Sequence, residues 1–106
     1  IAWPMRLYDC SPVSDGAATV LLVREDLAKN FTEKALYTIG SGQGSDGAIH
    51  SRPSMTSLAS VKVAAKEAYD MAGVKPEDIK VVEVHDCFTV AEIIASEDLG
   101  FFAPGE

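Results

Sequence analysis

The sequence is poor in basic residues, in cysteine and in long apolar stretches, and each shortage excludes a class of protein. Nine Lys and Arg residues stand against 16 Asp and Glu residues, and the net charge of −7 disfavours binding to nucleic acid or to an anionic membrane surface, because both repel it. Two cysteines are too few for a disulfide framework. The longest apolar run, residues 17–23, is interrupted by Thr19 and is far too short to cross a bilayer. With no signal-peptide pattern, the sequence predicts a soluble, cytoplasmic protein.

The two ends of the sequence carry apolar residues that a natural terminus seldom leaves exposed. The chain starts at Ile1 without a methionine, and it closes with Phe101 and Phe102 followed by a Pro-Gly turn. Apolar side chains of this size usually need a partner surface. We therefore expect an internal segment of a larger protein.

Apolar patterning predicts alternating strands and helices. The aliphatic and β-branched run over residues 17–23 suits a strand that is buried on both faces. Residues 35–40 and 80–84 are predicted as the second and third strands. Strands that alternate with helices through short connections favour parallel βαβ pairing, and therefore an α/β fold. Helices are predicted over residues 24–29, 57–72 and 89–99.

The helix predicted over residues 57–72 has a narrow apolar stripe made largely of alanine. Its members recur at three- and four-residue spacing: Leu58, Val61, Ala65, Ala68 and Ala72. Because alanine has little bulk, this helix can pack close to a sheet. Thr56 stands where it could cap the start of the helix, and Gly73 stands where a left-handed residue ends it.

The glycine-rich segment Gly42-x-Gly44-x-x-Gly47 formally matches a dinucleotide-binding fingerprint. That motif requires a helix to begin at the loop, so that its N-terminus can hold a pyrophosphate. Here Pro53 disfavours helix at Arg52. We therefore predict a flexible turn and no Rossmann-type nucleotide site.

The segment His85-Asp86-Cys87-Phe88 lies between the third predicted strand and the last predicted helix, the edge of a parallel sheet where ligands usually bind. A cysteine in the first turn of a helix can have a lowered thiol pKa. His85 and Cys87 are two residues apart and can share a face, so they could exchange a proton or stabilise an oxyanion. A buried, unreactive cysteine and a hydrogen-bonded histidine remain the alternative. Metal binding ranks lower, because this spacing supplies too few ligands.

Two motifs together resemble the thiolase family: Ser14-Asp15-Gly16-Ala17-Ala18 before the first predicted strand, and Glu83-Val84 followed by His85-Asp86-Cys87-Phe88 before the last predicted helix. The His-Asp-Cys-Phe motif is similar to the branch that includes sterol carrier protein x thiolases and archaeal acetoacetyl-CoA thiolases. The resemblance covers essentially the whole sequence.

The resemblance implies a five-layered αβαβα fold of two similar halves. Residues 1–34 would end the first half, with its last strand, and residues 35–106 would be the incomplete start of the C-terminal half, with its opening βαβα. It also implies a homodimer or homotetramer in the full-length protein, and an OB-fold partner protein in some cases.

The implied chemistry is acyl transfer on coenzyme A through a cysteine acyl-enzyme and a Claisen or retro-Claisen step. By motif match, Cys87 would be the acid/base at the α-carbon and His85 would position water or an oxyanion. Ser11 and Phe88 would lie against the substrate. The coenzyme A thioester is the substrate, and the resemblance implies no separate cofactor and no metal.

The nucleophilic cysteine of the family is expected upstream of Ile1, and its Gly-His-Pro histidine downstream of Glu106. A general acid/base without its nucleophile cannot complete acyl transfer, so the 106 residues should be inert alone. Two alternatives stay open. One is a lipid-transfer-like homologue that cleaves by a retro-aldol reaction, and the other is a non-catalytic interaction module of thiolase fold.

Overall fold

The computed structural model describes residues 3–106 and contains two α-helices. They are α1, Ala59–Ala72, and α2, Thr89–Asp98. Shorter 3₁₀ helices lie between extended segments of the chain, at Leu7–Asp9, Glu25–Asn30, Ile49–Ser51 and Pro76–Asp78.

Both long helices form where the apolar periodicity predicts them. α1 begins two residues later than predicted and ends at Gly73, whose φ of 68° is left-handed and whose N–H donates to the Tyr69 carbonyl at 2.9 Å. α2 ends one residue early, and Gly100 follows it with a φ of 88°. The short helix predicted over residues 24–29 is the 3₁₀ helix Glu25–Asn30, around the buried Ala28.

The three predicted strands are not formed in the described part of the chain. Across residues 3–106 the β-pairing consists of one isolated antiparallel bridge, between Cys10 and Phe88. Residues 17–23, 35–40 and 80–84 have no ladder partner, and large apolar side chains on them lie in solvent, with Leu22 83% and Leu36 98% exposed. A strand exists only when a neighbour accepts its backbone hydrogen bonds, so the predicted parallel pairing is not confirmed.

The surface area shows the same lack of neighbours. The accessible surface is 9259 Å², whereas a compact monomer of this length would expose about 5,700 Å². The radius of gyration is 17.1 Å, against about 13 Å for a compact domain. The chain therefore leaves uncovered much of the apolar surface that a self-contained domain would bury.

The glycine-rich segment packs against α1 and is not the flexible turn predicted above. A Cβ atom at Gly40, Gly42 or Gly44 would lie 2.4, 2.0 or 2.2 Å from a backbone carbonyl oxygen of α1. No side chain fits at those distances, so the backbone of the segment lies directly on the helix. The carbonyls belong to residues one helical turn apart: Ala68, Ala64 and Ser60.

Two distant carboxylates cap α1 in place of Thr56, whose predicted capping role is wrong. Asp46 accepts hydrogen bonds from the Ser60 N–H at 3.1 Å and the Ser60 hydroxyl at 2.7 Å. Asp98, at the end of α2, accepts from the Leu58 N–H at 2.5 Å and the Ser57 hydroxyl at 2.9 Å. The first N–H groups of a helix have no intrahelical acceptor, and these carboxylates bind them while joining three parts of the chain.

Candidate functional site

The His-Asp-Cys-Phe motif lies immediately before α2. Phe88 is the N-cap residue, with an extended backbone at φ −140° and ψ 141°, and α2 begins at Thr89. Cys87 therefore precedes the first turn, and the expectation that it lies within that turn is wrong. It remains next to the end of the helix where unpaired N–H groups give a partial positive charge.

A second segment, far away in the sequence, pairs with this motif. The Ser11 N–H donates to the Cys87 carbonyl at 2.9 Å, beside the antiparallel bridge between Cys10 and Phe88. In an antiparallel pair this register sets Ser11 directly opposite Cys87. The structure thus brings together Ser11, Cys87 and Phe88, three of the four residues that the resemblance singles out.

The fourth residue, His85, lies on the exposed part of the same segment. Within residues 3–106 no hydrogen bond joins its imidazole to Cys87. Cys87 is half-buried, and Phe88 is 47% exposed. His85 and Phe88 are therefore open to solvent, and Cys87 is partly so.

Cys10 is the residue at this site whose position the sequence did not indicate. It is half-buried and is the bridge partner of Phe88, the residue that starts α2. Its thiol lies 3.9 Å from the Arg6 carbonyl, which makes a weak local contact. The pairing depends on residues 78 positions apart (88 − 10), and local sequence carries no signal for it.

Other features of the described chain lie away from this site. A groove of about 500 Å³ surrounds Ala28 between residues 21–23 and 35–38 and contains none of the motif residues. Residues 3–106 include no group of three or more His, Cys, Asp or Glu side chains placed to hold a metal ion. The same residues contain no helix with the length and apolar character needed to cross a membrane.

Curated relatives match this chain over nearly its whole length. It is 49% identical over 109 residues to the acetyl-CoA acetyltransferase of Methanocaldococcus jannaschii, covering 100% of this chain and 28% of that protein. The acetyl-CoA acetyltransferase of Methanothermobacter thermautotrophicus is 47% identical, with the same shares covered. Sterol carrier protein 2 of Oryctolagus cuniculus is 31% identical, over 96% of this chain and 20% of that protein.

These relatives agree with the branch that the His-Asp-Cys-Phe motif indicates, and they support a thiolase-like fold. The chain spans about a quarter of the length of the archaeal relatives. The family described as thiolase C-terminal domain-like matches residues 41–106, which is more than half of the sequence and includes α1, α2 and the His-Asp-Cys-Phe motif. The chain therefore belongs to the thiolase C-terminal domain-like family.

Proposed function

We propose that this chain supplies the acid/base part of a coenzyme A-dependent thiolase-type acyltransferase. The observation that carries the proposal is the position of Cys87, half-buried at the start of α2 and paired through its carbonyl with Ser11. A thiol in this position can give a proton to a bound substrate or take one from it. Proton transfer at the α-carbon of an acyl thioester needs such a group.

The archaeal acetyl-CoA acetyltransferases support the substrate class, because they match this chain end to end at 47–49% identity. In the proposed reaction, Cys87 takes a proton from the α-carbon during condensation and returns it during thiolytic cleavage. The exposed His85 imidazole donates a hydrogen bond to the thioester oxygen or to a water molecule, and stabilises the charge that develops there.

The nucleophile and the histidine that activates it are proposed to lie on other parts of a longer polypeptide, which leaves these residues inert alone. The proposal also includes a dimeric or tetrameric cytoplasmic enzyme, with coenzyme A thioester as substrate and with an OB-fold protein as a partner. The assembly is supported by the exposed apolar side chains, such as Leu22 at 83% and Leu36 at 98%, since a second subunit or further polypeptide would bury part of that surface.

The test replaces Cys87 by Ala in the natural polypeptide that contains this sequence. The variant should still form the acyl-enzyme, because the nucleophile is untouched, and should lose thiolysis of acetoacetyl-CoA. The matched control is Cys10→Ala, which removes the other thiol of this chain and should retain thiolysis. Full thiolysis by Cys87→Ala would show that Cys87 is not the acid/base.

The similarity to sterol carrier protein 2 keeps a retro-aldol reaction as the second candidate. That reaction would cleave a steroid-type acyl-CoA without added free coenzyme A, so omission of coenzyme A from the assay separates the two activities. A non-catalytic module would show neither activity, and its Cys87 would react slowly with an alkylating agent at neutral pH.

A further inference from the structure

The antiparallel pairing beside α2 divides four side chains between two faces. Residues that lie opposite each other in such a pair point to the same side, and the next pair along the chain points to the other side. Cys10 and Phe88 form the bridge, so the next pair, Ser11 and Cys87, lies on the opposite face. Each cysteine therefore has a different cross-strand neighbour, and the neighbour of Cys87 carries a hydroxyl group.

We propose that Ser11 is a positioning residue that donates a hydrogen bond to the thiolate form of Cys87. This inference rests on the proposed acid/base function of Cys87, and it gives Ser11 a role separate from any contact with substrate. Directly opposed residues have Cβ atoms about 5 Å apart, within the combined reach of a hydroxyl and a thiol. The backbone bond of 2.9 Å between Ser11 and Cys87 fixes that approach.

Two further observations make the Ser11 hydroxyl available. Its present acceptor is the carbonyl of the next residue, Pro12, at 3.3 Å, which is long for a hydroxyl donor and is released by rotation about one bond. The following proline also restricts the Ser11 backbone to extended conformations. The side chain therefore stays on the face of Cys87 whichever rotamer it adopts.

Other titratable groups lie on the two paired segments and in the first turn of α2. Arg6 and Asp9 lie on the Ser11 segment, where the Asp9 carboxylate accepts from the Arg6 N–H at 2.6 Å. His85 and Asp86 precede Cys87, and Glu92 lies in the first turn of α2. The experiment leaves all five unchanged, so any difference between variants arises at Ser11.

The experiment measures the alkylation of Cys87 by iodoacetamide as a function of pH in the natural polypeptide that contains this sequence. Trypsin separates the two thiols of this chain, because cleavage after Lys80 releases Cys87, and cleavage after Arg6 and Arg24 releases Cys10. Mass spectrometry then gives both rates from one sample. Cys10, on the other face of the pair, serves as the internal control.

Ser11→Ala should raise the midpoint of the Cys87 profile by about one pH unit, because the thiolate loses a hydrogen-bond donor. A more basic thiolate is also more nucleophilic, so alkylation should be about threefold slower below the midpoint and about threefold faster above it. Ser11→Thr keeps the hydroxyl and should restore the original profile. The Cys10 profile should be the same in all three proteins.

Three results would overturn the inference. They are an unchanged Cys87 profile in Ser11→Ala, a failure of Ser11→Thr to restore it, or equal changes at Cys10 and Cys87, which would indicate a loosened pairing. Alkylation requires no acyl transfer. If Ser11→Ala changed the Cys87 profile as expected while Cys87→Ala retained full thiolysis, the proposed acid/base function would be rejected and the proposed hydrogen bond would stand.

Discussion

Replacement of Asp98 by Ala should destabilise the protein more than replacement of any exposed carboxylate. The Asp98 side chain is 5% exposed and accepts from the Leu58 N–H at 2.5 Å and from the Ser57 hydroxyl at 2.9 Å. It also forms an ion pair with the Lys62 ammonium at 3.2 Å. Loss of a helix cap costs about 1 kcal/mol, and donors left without an acceptor cost about 1–3 kcal/mol more. We expect a loss of about 2–4 kcal/mol in the free energy of unfolding.

Urea denaturation of the natural polypeptide that contains this chain, followed by circular dichroism, measures this loss. The matched control is Asp70→Ala, because Asp70 also pairs with a lysine of α1, Lys66, but is 66% exposed. An exposed pair of this kind contributes at most about 0.5 kcal/mol. If the two variants lost equal stability, the buried carboxylate would not hold α1 and α2 together, and the capping argument would be refuted.

Three further predictions concern pH, packing and catalysis. Burial alone would raise the pKa of Asp98, but hydrogen bonds from the Leu58 N–H, Ser57 and Lys62 outweigh it and hold that pKa below its ordinary value. The stability that Asp98 contributes is therefore present above about pH 4, and it is lost as the pH falls through the pKa of the folded state. The difference in unfolding free energy between the wild type and Asp98→Asn should accordingly shrink on titration to acid, and a constant difference would contradict the assignment. Gly42→Ala should lower the free energy of unfolding by about 1–3 kcal/mol through overpacking, because its Cβ would lie 2.0 Å from the Ala64 carbonyl oxygen. Gly16→Ala is the control in the same urea assay and should be nearly neutral, because nothing lies within 4 Å of its Cβ. His85→Ala should lower kcat for thiolysis about 10²–10³-fold if its imidazole stabilises an oxyanion. His85→Asn keeps a hydrogen-bond donor and should lose less activity. If both variants were as active as the wild type, His85 would have no part in the mechanism.

The two long helices are predictable because their determinants are local. The apolar pattern lies within each helical segment and a glycine follows closely after it, since Gly73 and Gly100 permit a left-handed turn just beyond α1 and α2. The strands are not predictable in the same way. The apolar run over residues 17–23 favours the extended conformation, but a strand also needs a second segment to pair with.

The caps and the site depend on residues that are distant in the sequence. An acid such as Asp98 at the C-terminal end of a helix is unfavourable for that helix, so local rules assign it no structural role. It becomes favourable only because the start of α1 lies against it, 40 residues away along the chain. The site shows the same limit, since the motif identifies residues 85–88 from sequence, whereas only the folded backbone places Ser11 opposite Cys87.

The packing of the glycine segment on α1 limits how long such a motif can be. Two extended residues advance about 6.7 Å and four helical residues about 6.0 Å, so each step along the contact adds a mismatch of about 0.7 Å. From Gly40 to Gly44 the offset stays near 1.4 Å, whereas four steps would bring it to about half a helical pitch. A run of five alternating glycines, which spans four such steps, would therefore no longer match one straight helix. A Gly-x-Gly spacing can therefore arise because two residues of an extended segment match one turn of a helix. A scan of substitutions should then show that residues 40, 42 and 44 do not tolerate a side chain, whereas residues 41 and 45 do.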